Sequence, residues 1–170
     1  MPAYDLSALS VLIVDDNDNM RMILRQVLRA LGMRKLIEAA DGAQGFDMLR
    51  TSPADIVITD WEMAPVNGVN FAQLLRTAGD SPNPFVPIIM LTAHSEMFRV
   101  HKARDAGVNE YMTKPISARM LYARLVNAVE RSRRFVRTPS FTGPCRRRSG
   151  RDGRYQGAER RASQAAVAAL

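Results

Sequence analysis

The chain has 170 residues, 24 Lys and Arg against 17 Asp and Glu, and a formal net charge of +7. A hydrophobic share of 46% excludes wholesale disorder, and a single cysteine, Cys145, excludes an intramolecular disulfide and a cysteine-built metal site. No apolar run approaches the ~20 residues that span a bilayer, and the start lacks a basic stretch ahead of an apolar one, so a soluble, cytoplasmic protein without a transmembrane segment is expected. The charge is uneven. Residues 1–134 hold 16 basic and 15 acidic residues, whereas 135–170 hold 8 and 2, which divides the chain into a near-neutral domain and a basic tail.

In chain order, Val11-Leu-Ile-Val14 is a continuous apolar run ending in Asp15-Asp16 and reads as a buried parallel strand. Met20, Ile23, Leu24, Val27, Leu28 and Leu31 recur at helical spacing and Gly32 supplies a stop. Leu36-Ile37 is a short second strand, and Asp41-Gly42 opens a helix carrying Phe46 and Leu49. Ile56-Val-Ile58 runs into Thr59-Asp60 as a third strand; a loop with Pro65 and Asn67-Gly68 leads to a helix bearing Phe71, Leu74 and Leu75. Pro87-Ile-Ile-Met-Leu91, ending at Thr92, is the fourth strand. A helix is predicted over 95–106 before Gly107, with His94 and His101 on one solvated face. Tyr111-Met112 marks a short fifth strand, Lys114-Pro115 follows, and Ser117 caps a last helix with Leu121, Leu125 and Val129 on one face. Repeated β/α units of this kind predict an α/β fold, an open parallel sheet with helices on both faces, whose site lies at the carboxyl ends of the strands.

Those ends supply Asp15-Asp16, Asp60, Thr92 and Lys114. Converging carboxylates repel unless a cation lies among them, and hard oxygen donors with open positions suit Mg²⁺ together with a phosphate. A lysine adds a compact positive charge and a threonine a hydroxyl donor. The set suits phosphoryl transfer onto a carboxylate, driven by charge stabilisation.

With Val11-Leu-Ile-Val-Asp-Asp16, Asp60-Trp-Glu-Met63, Asn67-Gly68, Leu91-Thr-Ala93 and Tyr111-Met-Thr-Lys-Pro115 in order, residues 8–134 resemble the receiver domain of two-component response regulators, of the CheY-like single-domain type. The resemblance implies a five-stranded doubly wound sheet of order 2-1-3-4-5. It makes Asp60 the phosphoacceptor and Asp15, Asp16, Asp60 and the backbone carbonyl of Glu62 the Mg²⁺ ligands. Lys114 is then the phosphoryl contact, Thr92 and Tyr111 the switch pair, and the bond before Pro115 a cis peptide. It further implies a stand-alone phospho-switch, not an enzyme in the ordinary sense. A histidine kinase or histidine phosphotransfer protein would phosphorylate it, and a downstream protein target would read the face formed by about residues 94–134. Two departures fall in the loop after Asp60: Ala64 stands directly after Met63 with Pro65 behind it, and Asn67 precedes Gly68 where Asp is more frequent. Glu62 is placed to orient attacking water, and Trp61 is expected to be a partly exposed reporter beside the acceptor.

The tail, 135–170, is expected to lack a fixed structure of its own. It contains a repeat, Phe141-x-Gly-Pro-x-Arg146-Arg147 and Tyr155-x-Gly-Ala-x-Arg160-Arg161, fourteen residues apart. The repeat marks Phe141, Arg146, Arg147, Tyr155, Arg160 and Arg161 as docking candidates. The alternative reading of the whole chain is therefore an adaptor whose basic tail binds nucleic acid, an acidic protein or an anionic membrane under receiver control.

Overall fold

The computed structural model describes residues 5–130 and 134–145. Five strands, β1 (Ser10–Val14), β2 (Lys35–Ala39), β3 (Ile56–Asp60), β4 (Ile88–Thr92) and β5 (Glu110–Thr113), form one parallel sheet of order β2-β1-β3-β4-β5. Between and after them run α1 (Asp18–Ala30), α2 (Gly42–Thr51), α3 (Gly68–Thr77), α4 (Met97–Asp105) and α5 (Ala118–Glu130). The order agrees with that expected from the sequence. β3 and β4 are buried along their whole length, which is why they read as unbroken apolar runs instead of alternating ones.

Side chains still alternate between two faces. Leu12, Val14, Val57, Ile88 and Met90 pack with Leu49 of α2, Phe71 and Leu75 of α3 and Ala103 of α4. Val11, Ile13, Ile56, Ile58, Ile89, Leu91 and Met112 pack on the other face with Leu24 and Leu28 of α1 and Leu121 and Leu125 of α5. The helices begin where capping side chains are available. Asn17 Oδ1 accepts from the Met20 N–H, Asp41 Oδ1 from the Ala43 and Gln44 N–H groups, Asn67 Oδ1 from the Asn70 N–H and Ser117 Oγ from the Met120 N–H. Helix α4 has no side-chain cap and starts at Met97, which leaves His94 in the loop before it. The two histidines therefore do not share a helix face as expected. Among the described residues no helix is long and apolar enough to cross a membrane.

The unanticipated element lies past residue 134. Residues 135–144, part of the segment expected to lack structure, form an antiparallel hairpin of β6 (Phe135–Thr138) and β7 (Phe141–Pro144). The Cys145 N–H closes it by donating to Arg134 O at 2.8 Å. The hairpin packs at the amino ends of β4 and β5, opposite the predicted site. Phe135 meets Phe85 edge-to-face with centroids 5.3 Å apart, and the Arg76 guanidinium lies 5.0 Å from the Phe135 ring centroid. At Gly107, where φ is +87°, an added Cβ would come within 2.8 Å of Thr142 O, so glycine lets both the turn after α4 and the hairpin approach. Gly143 is equally confined: its Cβ would lie 2.7 Å from Gly107 Cα and 2.8 Å from the Phe141 ring. The aromatic and glycine of the first tail repeat thus have a packing role. Cys145 is half-buried at the hairpin's end, and Arg146, Arg147, Tyr155, Arg160 and Arg161 lie outside the described residues.

Arg76, only 3% exposed, ties this corner together. Nε donates to Gly107 O at 3.0 Å, Nη1 to Pro84 O at 2.8 Å and Nη2 to Asn109 Oδ1 at 3.0 Å. Burial pushes the guanidinium down to about 9, which leaves it charged at neutral pH. Asn109 Oδ1 keeps a second donor, the Ile88 N–H, but the two carbonyls lose theirs if the guanidinium is removed. Arg76→Leu is therefore expected to lower stability by about 2 kcal/mol and to expose the hairpin to proteolysis before the sheet. Urea unfolding and limited digestion check this; an unchanged midpoint with a protected hairpin contradicts it.

Candidate functional site

The three strand-end aspartates converge. Asp15 and Asp16 follow β1, Asp60 ends the adjacent β3, and one carboxylate oxygen from each lies within 4.8 Å of the others. Asp15 and Asp60 are buried and Asp16 is exposed, so the cluster has two inner carboxylates and one at the mouth. Lys114, carried past β5 and followed by a cis peptide bond to Pro115, places Nζ 2.9 Å from Asp60 Oδ1 and 3.4 Å from Asp15 Oδ2. The Ala64–Pro65 bond is also cis. An open depression of about 400 Å³ beside the cluster is lined by Asp16, Trp61, Glu62, Met63, Ala64 and Asn67.

Local hydrogen bonds hold the carboxylates in place. Asp15 Oδ1 accepts from the Asn17 N–H at 2.9 Å, and Arg21 Nη1 donates to Asp15 O at 2.6 Å. Asp60 Oδ2 accepts from the Glu62 N–H at 3.2 Å. The chain then turns back so sharply that Gly68 donates its N–H to Trp61 O at 3.0 Å, and a Cβ at Gly68 would sit 2.0 Å from Asp60 O.

The electrostatics are those of an anionic pocket with one cation. Burial pushes the Asp15 carboxyl above its ordinary value, against the opposing pull of the Asn17 N–H and Lys114. Burial by itself lowers the Lys114 ammonium, but its hydrogen bond and charge attraction to Asp60, with the Asp15 charge, outweigh that and hold it above its ordinary value. Three clustered carboxylates, two of them met by Lys114, leave room for further positive charge. The donor set, all carboxylate oxygen and partly open to solvent, fits a hard divalent ion.

Thr92 is buried at the end of β4, where its Oγ1 accepts from the His94 N–H at 3.1 Å. Tyr111, half-buried on β5, donates its hydroxyl to His94 O at 2.6 Å. Both predicted switch residues thus hold the loop between β4 and α4. Trp61 differs from expectation. It is buried, at 9% exposure, in the core cluster that includes Met63, Val69 and Phe71, and the Arg99 guanidinium lies 5.3 Å from its ring centroid. Phe141 belongs to the hairpin at the opposite end of the sheet. Sequence reasoning missed Arg99 and the pairing of Glu62 with Arg99 and His94, at 3.0 and 3.4 Å; no motif signals a contact that spans 37 residues.

Set against known proteins, residues 11–126 match the family model described as the response regulator receiver domain. The chain belongs to that family: it is a receiver domain of the CheY-like kind, a module of phosphorylation-based signalling. It is 34% identical over 123 residues to "Chemotaxis protein CheY" of Pseudomonas aeruginosa, covering 72% of this chain and 98% of that protein. It is 36% identical to "Chemotaxis protein CheY-3" of Vibrio cholerae, covering 72% and 93%. Among solved structures, the chemotaxis response regulator CheY4 of Vibrio cholerae superimposes with a TM-score of 0.65 at 26% identity, over 71% of this chain and 98% of that one.

Proposed function

We propose that the protein is a phospho-switch in which Asp60 accepts a phosphoryl group from a histidine kinase or histidine phosphotransfer protein. The observation that supports this most directly is Lys114 Nζ at 2.9 Å from an Asp60 oxygen inside a cluster of three carboxylates. Asp60 is the nucleophile: a carboxylate oxygen bonds to phosphorus as the donor's leaving group departs with the electron pair of the broken bond. Lys114 then contacts a phosphoryl oxygen, and Thr92 turns its hydroxyl toward the same group. Asp15, Asp16, Asp60 and the Glu62 carbonyl would hold Mg²⁺, which would neutralise the charge developing on the transferred group. Phosphorylation places roughly −2 charge and three acceptor oxygens at the end of β3. Because Thr92 and Tyr111 both bond the segment around His94, that charge is communicated to α4, β5 and α5, the face offered to a downstream protein.

The test is incubation with acetyl phosphate. Labelling that needs Mg²⁺ and is abolished by chelation is the expected result; labelling indifferent to chelation contradicts the cation's role. Mg²⁺ is also expected to raise the melting temperature, by about 2.7 kcal/mol of stability at a hundredfold excess over Kd. The pH dependence follows from Asp15. Its folded value is raised, so the metal-free fold is penalised above that value and relieved as pH falls through it. Protons then compete with the cation, and the Mg²⁺-dependent shift is expected to fade toward acid pH.

A further inference from the structure

Glu62 follows Asp60 by two residues, and its main chain is tied to the acceptor through the N–H bond to Asp60 Oδ2. Its carboxylate is tied elsewhere. Oε1 accepts from Arg99 Nη1 at 3.0 Å and lies 3.4 Å from His94 Nε2, so both partners come from the segment after β4. Arg99 is itself confined. Its guanidinium lies 5.3 Å from the Trp61 ring centroid and 5.9 Å from that of Phe98, and Nε is 3.6 Å from Glu96 Oε2. The Arg99 side chain is 19% exposed and that of Glu62 58%. A cation with little freedom thus draws a freer carboxylate toward α4, across the top of Trp61.

We propose that Arg99 is a positioning residue that sets the lifetime of phospho-Asp60 by holding the Glu62 carboxylate on the α4 side, away from water approaching the phosphoryl group. This rests on Asp60 being the phosphoacceptor. In hydrolysis the water oxygen bonds to phosphorus while the bond from phosphorus to the Asp60 oxygen breaks. The electron pair returns to the carboxylate, and inorganic phosphate leaves with the protons of the water. A free carboxylate two residues from Asp60 accepts a hydrogen bond from that water and aligns it; one whose Oε1 is engaged by Arg99 is held toward α4 instead. A half-exposed ion pair is weak, so the clamp opens and closes, and removing Arg99 raises the open fraction by roughly two- to fivefold.

The experiment uses the full chain, phosphorylated with acetyl phosphate and Mg²⁺ and freed of donor, with decay of the hydroxylamine-sensitive phosphoryl group followed in wild type, Arg99→Ala, Arg99→Gln, Arg99→Lys, Glu62→Gln and the Arg99→Ala/Glu62→Gln pair. Arg99→Ala and Arg99→Gln are expected to shorten the lifetime by roughly two- to fivefold, Arg99→Lys to restore most of it, and Arg99→Ala to add nothing in the Glu62→Gln background. An unchanged or longer lifetime in both Arg99→Ala and Arg99→Gln, or the same acceleration without the Glu62 carboxylate, overturns the proposal. Absence of any label on wild type removes the Asp60 reading and the clamp with it, whereas normal labelling with Arg99-independent decay removes the clamp alone.

Discussion

Asp60→Asn is expected to abolish labelling by acetyl phosphate, a fall of at least about a hundredfold, while the protein remains folded. The amide oxygen is neutral, poorly nucleophilic and cannot form an acyl phosphate. The substitution is nearly isosteric, and it removes one of three mutually repelling carboxylates, so the cost to the metal-free fold is small. What it does remove is the negative charge that Lys114 meets at 2.9 Å and the charge of one of three carboxylates within 4.8 Å of one another. The Mg²⁺-dependent rise in melting temperature is expected to shrink in step with the labelling. Loss of labelling from an unfolded variant would say nothing about chemistry, so thermal unfolding is measured on the same sample. Hydroxylamine-sensitive label retained on a folded Asp60→Asn protein would falsify the assignment and move the acceptor to Asp15 or Asp16.

The residues in that argument were legible in the sequence for one physical reason. In a parallel sheet covered on both faces, a buried strand must be apolar until it emerges, and the first polar residue after the run lies at the carboxyl end where such sheets hold their sites. Val11–Val14 before Asp15 and Ile88–Leu91 before Thr92 follow that rule, Ile56–Ile58 reaches Asp60 one residue later through the buried Thr59, and all three strands lie where expected. What stayed hidden depends on pairs distant along the chain. Phe135-Val136 is too short an apolar stretch to announce a strand, and its partners, Phe85 and Arg76, are supplied by the surface of the finished domain. Nothing local to Phe141 or Gly143 says that a ring and a backbone will be pressed against Gly107. Trp61 reads as partly exposed because it adjoins an open site, and it is buried because it packs into the core while Arg99 reaches its ring from α4. Charge composition pointed to residues 135–170 as a single appendage, whereas the hairpin takes its first ten residues onto the domain.

Gly68→Ala is expected to be the most damaging single methyl group that can be added near the site. Gly68 opens α3 and lies against the strand that carries Asp60. Its own φ is not what demands glycine here; the demand is space. The added carbon would stand 2.0 Å from Asp60 O and 3.0 Å from Asp60 C, and both are backbone atoms that no rotamer change can move. Relief requires the end of β3 to separate from the start of α3. That strains the Gly68 N–H bond to Trp61 O, made at 3.0 Å, and displaces the acceptor carboxylate from Lys114. Overpacking of this kind costs about 3 kcal/mol, and a displacement near 1 Å at a reacting group costs about a hundredfold in rate. Gly79→Ala is the matched control, because a Cβ there meets no atom within 4 Å and its stability is expected to change by less than about 0.5 kcal/mol. Urea unfolding and acetyl phosphate labelling of the two variants separate a general loss of glycine from a local one. If Gly68→Ala labels and unfolds like Gly79→Ala, the close approach of α3 to the acceptor strand does not constrain the site. The expected outcome is a folded, weakened protein whose labelling falls much further than its stability accounts for, since the displaced backbone is that of Asp60 itself.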